Sequence, residues 1–429
     1  MTTNISSHFQ SRTPSAIRQA QIMFSERKDK DDIQVVNLAI GNVPLPMYPA
    51  MKKRMFELGE NAFDDGIIKY SPSVGTTEAR SAFLNIISSE GVDTSNLHCM
   101  ITDGGSQAME LMMLGVCGPS SKKPLMLVEP VYTNYIEFSK RLSIPVTTVN
   151  REIDENGYFS QVSLTQLENR IIENHPGALI IIPADNPTGQ FISQKELIEI
   201  AKICVKHNVW IVSDEAYRQL YYGKNKTSSI WKISEEDIPG ITGLRISIES
   251  ASKVWNACGL RIGGLVTDNK EFHTAAVSEY TANLCANSIG QHIFGAMALE
   301  SHERLHQWYA KQREYYKSLM IFLRRKLIDK IPGLIVTHPE AAIYFVIDFR
   351  SICDDGFDSF EFVKYCASSG KVNIEGNYFT LLLAPMSGFY LDSNKGKTEL
   401  RIAMVEDPTL IAKTPQLLHS LYNSYKNTI

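Results

Sequence analysis

Short apolar runs alternate with amphipathic stretches along residues 98–267, and this alternation constrains the fold more than any other feature of the sequence. The runs are rich in aliphatic and β-branched residues and are too short for helices, so they predict buried strands. Helical stretches such as Ser106–Val116 and Gln194–His207 separate several of them. The alternation predicts an α/β fold with a mostly parallel sheet flanked by helices. The predicted strands are His98–Thr102, Pro124–Val128, Pro145–Val149, Ala178–Pro183, Val209–Ser213, Arg245–Glu249 and Gly264–Thr267.

Residues able to do chemistry follow directly after several of these predicted strands. Gly104-Gly105-Ser106, Asn186, Asp214 and Lys253 each come shortly after an apolar run. In open α/β sheets, ligands bind beyond the carboxyl ends of the strands. We therefore expect these residues to converge on one site at that edge.

The C-terminal third of the chain has a different pattern. His302–Ile331 reads as one long helix, and Pro332-Gly333 supplies the usual chemistry of a helix end. The remainder predicts a smaller α+β unit, with strands near Ala342–Asp348 and Leu400–Met404.

Composition and charge exclude several classes of function. A net charge of -4 gives no electrostatic reason to expect nucleic acid or an anionic membrane as a partner. No apolar run approaches the ~18 residues of a transmembrane helix, and Met1–Gln10 lacks the apolar core of a signal peptide. Seven cysteines are scattered without CxxC pairs, which favours reduced thiols over disulfides or zinc. We expect a cytoplasmic protein without a metal site.

Lys253 lies in the most informative stretch of the chain, Ser250-Ala251-Ser252-Lys253-Val254-Trp255-Asn256-Ala257-Cys258-Gly259-Leu260-Arg261-Ile262-Gly263. A lysine held in an apolar site at the end of a strand can present a neutral amine for Schiff-base chemistry. Ser250 and Arg261 are the residue types that hold a phosphate beside such an amine. A lysine with a phosphate clamp is the minimum for binding pyridoxal 5'-phosphate, PLP.

The whole fourteen-residue string resembles, position by position, the PLP-lysine motif of the class I/II aminotransferases, which have PLP fold type I. The resemblance implies a large PLP-binding domain, here residues 46–300. It also implies a small domain made of residues 1–45 and 301–429, with an N-terminal arm and a long connecting helix. Lys253 would be the catalytic residue and would hold PLP as a Schiff base.

Further motifs of the family occur in the same order. Asp214 resembles the acid that pairs with the protonated ring nitrogen of PLP, which deepens the electron sink, and Tyr217 the tyrosine that bonds the ring oxygen. Asn186, in Asn-Pro-Thr-Gly, resembles the asparagine that donates to the same oxygen and lies beside the substrate. Taken alone, Asp214 could equally cap a helix, and Asn186 could simply lie in a turn.

The glycine turn before Ser106 resembles the phosphate loop of the family. Glycines let the backbone approach an anion, and the N-terminus of a helix favours negative charge. On this basis we assign Gly105, Ser106 and Gln107 to the phosphate. Tyr132, in Pro-x-Tyr, would stack on the ring of PLP, although it could also be a core aromatic residue.

Three further residues take their roles from the resemblance alone. Tyr70 would reach the phosphate bound by a partner subunit, which implies a homodimer. Arg401 would grip the α-carboxylate of the substrate, and Gly41 would approach the same carboxylate through its backbone. A structural salt bridge is the alternative for Arg401, since a buried arginine needs an anionic or acceptor partner.

These motifs together predict a PLP-dependent aminotransferase that moves an amino group between an amino acid and a 2-keto acid by a ping-pong mechanism. A β-lyase or another amino-acid lyase on the same scaffold is the alternative, because a fold does not fix a reaction. Asn287 stands where one acidic-substrate subgroup has an arginine, and no arginine occurs between Arg261 and Arg304. We therefore expect a neutral, apolar or aromatic amino donor, with Arg12 and Arg18 as the only obvious substitutes for the missing cation.

Overall fold

The computed structural model describes residues 5–223 and 227–428. Its helices are α1 Ser7–Gln10, α2 Ala16–Ser25, α3 Pro49–Phe56, α4 Leu58–Asn61, α5 Thr77–Ser88, α6 Gly105–Val116, α7 Thr133–Leu142, α8 Leu164–Asn174, α9 Gln194–Lys206, α10 Lys270–Tyr280, α11 Ser288–Gly295, α12 His302–Lys330, α13 Ser359–Ser368, α14 Pro408–Ile411 and α15 Thr414–Lys426. Its strands are β1 Ile33–Asn37, β2 His98–Thr102, β3 Leu125–Glu129, β4 Val146–Asn150, β5 Ala178–Ile181, β6 Trp210–Asp214, β7 Arg245–Ser250, β8 Gly263–Thr267, β9 Ile335–Val336, β10 Tyr344–Asp348, β11 Val372–Ile374, β12 Asn377–Leu382, β13 Ala384–Pro385 and β14 Glu399–Ala403.

The central feature is a seven-stranded sheet in the order β2-β8-β7-β6-β5-β3-β4. Strands β7, β6, β5, β3 and β4 run parallel to one another. Every residue of β3, β5, β7 and β8 is buried, as expected for strands covered on both faces. The predicted α/β fold and mostly parallel sheet are confirmed, and all seven predicted strands form within two residues of their predicted ends.

One detail of the strands goes beyond the prediction of a mostly parallel sheet, and one differs from what the sequence indicated. Strand β8 runs antiparallel to both of its neighbours, β2 and β7. A fully buried strand shows the same apolar run in either direction, so the sequence pattern carries no sign of this. Strand β7 also ends at Ser250, which places Lys253 in the loop that follows rather than at the strand end.

Helices α5, α8 and α9 begin at side-chain caps. Thr76, Ser163 and Ser193 each accept a hydrogen bond from the backbone N–H three residues later, a contact that contributes about 1 kcal/mol. Helix α9 buries Leu197, Ile200, Ala201 and Cys204, the spacing of a single helical face. Each large aliphatic side chain buried in this way contributes roughly 2 kcal/mol.

Contacts divide the chain into two compact units. We call Asn42–Ile321 with Thr337–Phe345 the large unit, and Met1–Gly41 with Phe322–Val336 and Val346–Ile429 the small unit. The chain passes from the large unit to the small one within α12. The domain limits predicted from the sequence, 46–300 for the large domain, stay a prediction.

The small unit contains two short sheets. Strand β12 pairs in parallel with β1 and antiparallel with β11. The other sheet has the order β13-β14-β10-β9. The buried guanidinium of Arg27 donates to the carbonyl of Gly370 at 3.0 Å and to the carboxylate of Asp29 at 3.0 Å, and so ties the C-terminal end of α2 to the segment after α13.

Candidate active site

Neighbouring strands of the large unit end together at one edge of the sheet. Asp214 is the last residue of β6, and it lies opposite Ile248 of the adjacent parallel strand β7. Ser250 ends β7 two residues later, and both side chains are buried. The carboxyl ends of β6 and β7 therefore bring a carboxylate and a hydroxyl to the same edge.

A tight loop carries Lys253 away from the end of β7. The N–H of Ala251 donates to Ile262, and the N–H of Ala257 closes the loop by donating to the carbonyl of Ala251 at 3.2 Å. The indole of Trp308 holds the loop from outside, donating to the carbonyl of Val254 at 2.8 Å. Lys253 is half-buried at the centre of this fixed segment.

The turn between β2 and α6 is shaped by close contacts that only glycine permits. Gly104 has φ +78°, and a Cβ there would collide with the guanidinium of Arg261. A Cβ on Gly263 would in turn collide with the backbone of Gly104. The position of Cβ on Gly105 lies 3.7 Å from the Cβ of Ser250. The structure thus brings the glycine turn, Arg261 and Ser250 together.

Helix α6 begins at this turn without a side-chain cap. Gly105, Ser106 and Gln107 are its first three residues. The amide oxygen of Gln107 accepts from the backbone N–H of Asp103 at 3.0 Å, so this oxygen is engaged at the turn itself. A helix N-terminus beside an arginine and a serine is a favourable place for a phosphate.

Asp214 sits in a strongly desolvating environment. Its carboxylate accepts hydrogen bonds from the hydroxyl of Tyr135 at 2.9 Å and from the N–H of Ala216 at 3.1 Å. These bonds favour the charged form, but burial outweighs them and raises the pKa of Asp214 to about 6. A cation bound next to this carboxylate would lower that pKa and stabilise the ion.

Asn186 and Tyr217 also meet at this edge. The side-chain amide of Asn186 donates to the hydroxyl of Tyr217 at 3.4 Å, and that hydroxyl lies 2.9 Å from the hydroxyl of Tyr344. Next to Asn186, the carboxylate of Asp185 pairs with the buried guanidinium of Arg151 at 2.7 Å. The buried ion pair of Asp185 and Arg151 therefore lies next to the Asn-Pro-Thr-Gly turn and stabilises it.

The remaining predicted residues are Tyr132, Tyr70, Gly41 and Arg401. Tyr132 precedes α7 and is half-buried, with its ring 6.4 Å from that of Tyr135. Tyr70 is 77% exposed. Gly41 and Arg401 belong to the small unit, where Arg401 is buried and donates to the carbonyl of Ala39 at 2.6 Å.

The side chain of Asn287 caps a helix. Its side chain accepts from the N–H of Gly290 at 2.9 Å and so caps α11, while its own N–H donates to the carboxylate of Asp103 at 3.2 Å. This position supplies no positive charge. Arg18, one of the two possible substitutes, is exposed and donates to Gln21 at 2.9 Å.

Comparison with known proteins identifies the family. Residues 33–410 match the family model described as aminotransferase class I and II. The chain belongs to this family. Enzymes of this family and fold depend on PLP, and the chain is a PLP-dependent aminotransferase.

Individual relatives are distant in sequence but match over most of their length. An aspartate aminotransferase of Sulfolobus acidocaldarius is 26% identical over 93% of this chain and 92% of its own. A probable kynurenine–oxoglutarate transaminase of Saccharomyces cerevisiae is 25% identical over 82% of this chain and 80% of its own. The solved structure of an N-succinyldiaminopimelate aminotransferase from Mycobacterium tuberculosis has a TM-score of 0.80, with 21% identity over 97% of this chain and 100% of its own, which shows the same fold.

The residues of this aminotransferase fit PLP on three separate grounds. Gly104 packs so closely against Arg261 that a Cβ would collide with the guanidinium, and this guanidinium beside the glycine turn suits a phosphate. The carboxylate of Asp214 suits a cationic ring nitrogen, and the Lys253 loop supplies an amine. Among residues 5–223 and 227–428, no group of His, Cys, Asp and Glu is arranged to hold a metal ion.

Some residues of this aminotransferase site were not found from the sequence. Tyr135 contacts Asp214, Tyr344 contacts Tyr217, and Arg151 supports Asp185. The sequence indicated only weakly that Tyr135 belongs to the site, because Tyr135 follows Tyr132 by three residues and helical spacing places the two on one face. Nothing in the sequence indicated Tyr344 or Arg151, since each is far in sequence from its partner.

Tyr135 should control the charge of Asp214, and Tyr135→Phe tests this. Removing a hydrogen bond that favours the carboxylate should raise the pKa of Asp214 by about one unit relative to the unmodified enzyme. Because the charged form is the one that stabilises a ring cation, the acid limb of the kcat profile should move to higher pH. The measurement is kcat against pH, with Tyr158→Phe, at a partly exposed tyrosine, as the matched control. An unchanged acid limb in Tyr135→Phe would contradict this role.

Proposed function

We propose that this chain transfers an amino group between an amino acid and a 2-keto acid by a ping-pong mechanism, with Lys253 as covalent anchor and proton carrier. The observation that carries the proposal is the anion cradle of Gly104, Gly105, Ser250 and Arg261. This cradle lies directly beside the Lys253 loop, at the end of the strand adjacent to Asp214. A phosphate held there would place the rest of PLP over that edge of the sheet.

The phosphate would be held by backbone and side chains together. Arg261 supplies a permanent positive charge, and Ser250 a hydroxyl donor. Gly105, Ser106 and Gln107 supply the uncapped start of α6, whose dipole favours an anion. This end of the site anchors the cofactor and takes no part in the proton transfers.

The ring would be held through its nitrogen and its oxygen. Asp214 stabilises a proton on the ring nitrogen by opposite charge. Asn186 and Tyr217, already 3.4 Å apart, would donate to the ring oxygen. Tyr132, half-buried before α7, would cover one face of the ring.

Proton transfer at the substrate would be the work of Lys253. Bound PLP supplies an electron sink that makes the α-carbon of an amino acid acidic. The Nζ atom of Lys253 would take the proton from that carbon and deliver it to the cofactor side, acting as base and then as acid. The fixed loop, closed at Ala251 and Ala257, limits the positions that Nζ can reach.

The α-carboxylate would be bound by Arg401, Gly41 and Asn186. Arg401 is buried with its guanidinium over the ring of Phe389, and it is oriented by the carbonyl of Ala39. A planar guanidinium fixed in this way can bind a carboxylate with two hydrogen bonds. Such a clamp holds the carboxylate in place and so disfavours decarboxylation.

The amino donor that we propose is neutral, apolar or aromatic. Asn287 is used as a helix cap, and residues 262–303 contain no arginine. A second carboxylate on the substrate would need a cation in a desolvated site. Relatives are named for aspartate and for kynurenine, so their names span acidic and aromatic donors.

A homodimer is proposed from the exposed segment around Tyr70. Ile67 and Ile68 are 54% and 55% exposed and lie beside Tyr70. A second copy of the chain would cover these apolar side chains and place Tyr70 near the phosphate bound by its partner.

We propose the cytoplasm as the compartment. All seven cysteines are without a disulfide, which suits a reducing environment. In the parts of the chain that the structure describes, none of the helices has the length and apolar character needed to cross a membrane.

Lys253→Ala should abolish turnover while PLP still binds through its phosphate and ring. We expect a fall in kcat of several orders of magnitude. In the unmodified enzyme, borohydride reduction should fix the cofactor to the peptide that contains Lys253, as mass spectrometry would show. Lys232→Ala, at another lysine of the large unit, serves as the control and should keep its labelling. Cofactor fixed to any other lysine would refute the assignment.

Mixed dimers should reveal shared sites. Hybrids of a Lys253→Ala chain and a Tyr70→Phe chain carry one site with both changes and one with neither. Random mixing should therefore restore about a quarter of the unmodified activity, above the mean of the two separate variants. Light scattering that shows a monomer at micromolar concentration would contradict the proposal.

One assay distinguishes transamination from β-elimination and identifies the donor. Common amino acids are supplied singly, with and without 2-oxoglutarate. Transamination predicts sustained turnover only with the acceptor, whereas a β-lyase would release a keto acid without it. We expect a neutral donor to react fastest. Aspartate or glutamate reacting more than about tenfold faster than any neutral donor would contradict the claim.

A further inference from the structure

Acidic side chains are buried at the same edge of the sheet as Asp214, but on the opposite face. The hydroxyl of Ser213 donates to the carboxylate of Glu215 at 2.7 Å, and that of Ser247 donates to Glu249 at 2.7 Å. Ser213 pairs with Ser247 across β6 and β7, so these four side chains share one face. Successive side chains of a strand point to opposite faces. Glu215 and Glu249 therefore lie behind Asp214, on the other side of the sheet.

One guanidinium serves all the carboxyl groups on this face. Arg218 donates to both oxygens of Glu249, at 3.1 and 2.6 Å, and to an oxygen of Glu90 at 2.9 Å. An oxygen of Glu215 lies 3.7 Å from the same guanidinium. The four side chains are at most 4% exposed. We call Glu90, Glu215, Arg218 and Glu249 the Arg218 network.

The Arg218 network holds more acidic groups than its single positive charge can balance. A buried charge without a partner is costly, so one of the acids should retain its proton more readily than usual. Glu215 is the member farthest from the guanidinium. Burial raises the pKa of Glu215, Arg218 opposes this, and Glu249 adds to it. The network is therefore less negative near pH 6 than at pH 8.5, where Glu215 has lost its proton.

The other titratable groups that face the network are neutral in this range. Tyr309 of α12 lies near Glu90 and Arg218, and Cys99 of β2 lies near Glu249. Burial raises the pKa of both groups, so neither carries a charge at neutral pH. The excess charge of this region is therefore set by the network itself.

The network is coupled to Asp214 through charge and through the backbone. Burial is the main cause of the raised pKa of Asp214, and the charge of Glu249 raises it further. A negative charge that opposes ionisation of an empty carboxyl group favours a cation bound beside it. The N–H of Ala216, which donates to Asp214, lies in the turn that Arg218 closes by donating to the carbonyl of Glu215 at 3.0 Å.

We propose that the Arg218 network positions charge for the cofactor, because its excess negative charge, fixed behind Asp214, favours PLP with a proton on its ring nitrogen. This inference rests on the proposed function, which assigns that nitrogen to Asp214. Glu215 and Glu249 lie on the face away from Asp214 and act through the field that they add to its carboxylate. They are positioning residues rather than catalytic residues.

The affinities of the full-length apoenzyme for two ligands test the proposal. The ligands are PLP and its 1-deaza analogue, in which C–H replaces the ring nitrogen. Phosphate, ring oxygen and aldehyde are common to both, so the ratio of the two dissociation constants isolates the charge at that nitrogen. Glu249→Gln at pH 8.5 should bind PLP about fivefold more weakly and the analogue within about twofold of the unmodified enzyme. Quenching of tryptophan fluorescence during titration measures both constants.

A second variant and a matched control locate the effect. Glu215→Gln keeps the shape of the protonated acid, so it should weaken PLP about fivefold at pH 8.5 and less at pH 6. The control is Asp268→Asn. Asp268 is also a buried carboxylate paired with an arginine, at 2.6 Å from Arg245, but Arg245 begins β7 at the opposite edge of the sheet. This variant should leave the ratio of the two affinities unchanged.

The outcomes separate this inference from the proposed function. Equal weakening of both ligands in Glu249→Gln and Glu215→Gln would show that the network only supports the fold, and unchanged binding of both would show that its charge does not reach the cofactor. Either result overturns the inference while PLP binding stands. An unmodified apoenzyme that binds neither ligand would contradict the proposed function itself. Should Glu249→Gln fail to fold, the ratio measured in Glu215→Gln decides the outcome.

Discussion

The candidate site is organised around one carboxylate, which is buried at the end of a parallel strand and would be stabilised by a cation. Asp214 ends β6 and is almost fully shielded from water, and its burial raises its pKa to about 6. The hydroxyl of Tyr135 and one backbone N–H offset this only in part. The protein thus holds a carboxylate that would be stabilised by a cation, and the protonated nitrogen of PLP is such a cation. Binding of the cofactor and the charge of Asp214 would then support each other.

A second constraint is steric and lies in the glycine turn before α6. Gly263 starts β8 so close to Gly104 that no side chain fits between them, and Arg261 covers Gly104 from the other side. The start of α6 has no side-chain cap, and Ser250 lies beside it. The backbone atoms that pack the sheet here are therefore the same ones to which we assign the phosphate.

The sequence predicted the sheet well because buried parallel strands are continuous apolar runs, and few other structures share that pattern. It also predicted that the glycine turn, Asn-Pro-Thr-Gly and the Lys253 loop follow strands of one sheet, because motifs after successive parallel strands lie at one edge. It did not predict the direction of β8, because a buried strand looks alike in both directions. The end of β7 was also missed, because the apolar run ends before Glu249 and the strand continues to Ser250.

The contacts that tune the site were harder to predict. Tyr344 meets Tyr217 across more than a hundred residues, and Arg151 meets Asp185 through the packing of separate strands. Nothing local in the sequence marks either pair. Asn287 shows the opposite case, because its identity was visible in the sequence, yet its work as a cap on α11 became clear only from the bond to Gly290.

The most direct test of this account is the rate of Asp214→Asn with PLP bound. Asparagine keeps the shape but has a single oxygen, so the variant loses the charge and one of the two hydrogen bonds that Asp214 accepts from Tyr135 and Ala216. The account predicts that the variant retains PLP and that kcat falls on the order of 100-fold, because the ring nitrogen loses its counter-charge. A variant that binds PLP and turns over within about twofold of the unmodified rate would show that the buried charge of Asp214 does not serve the cofactor.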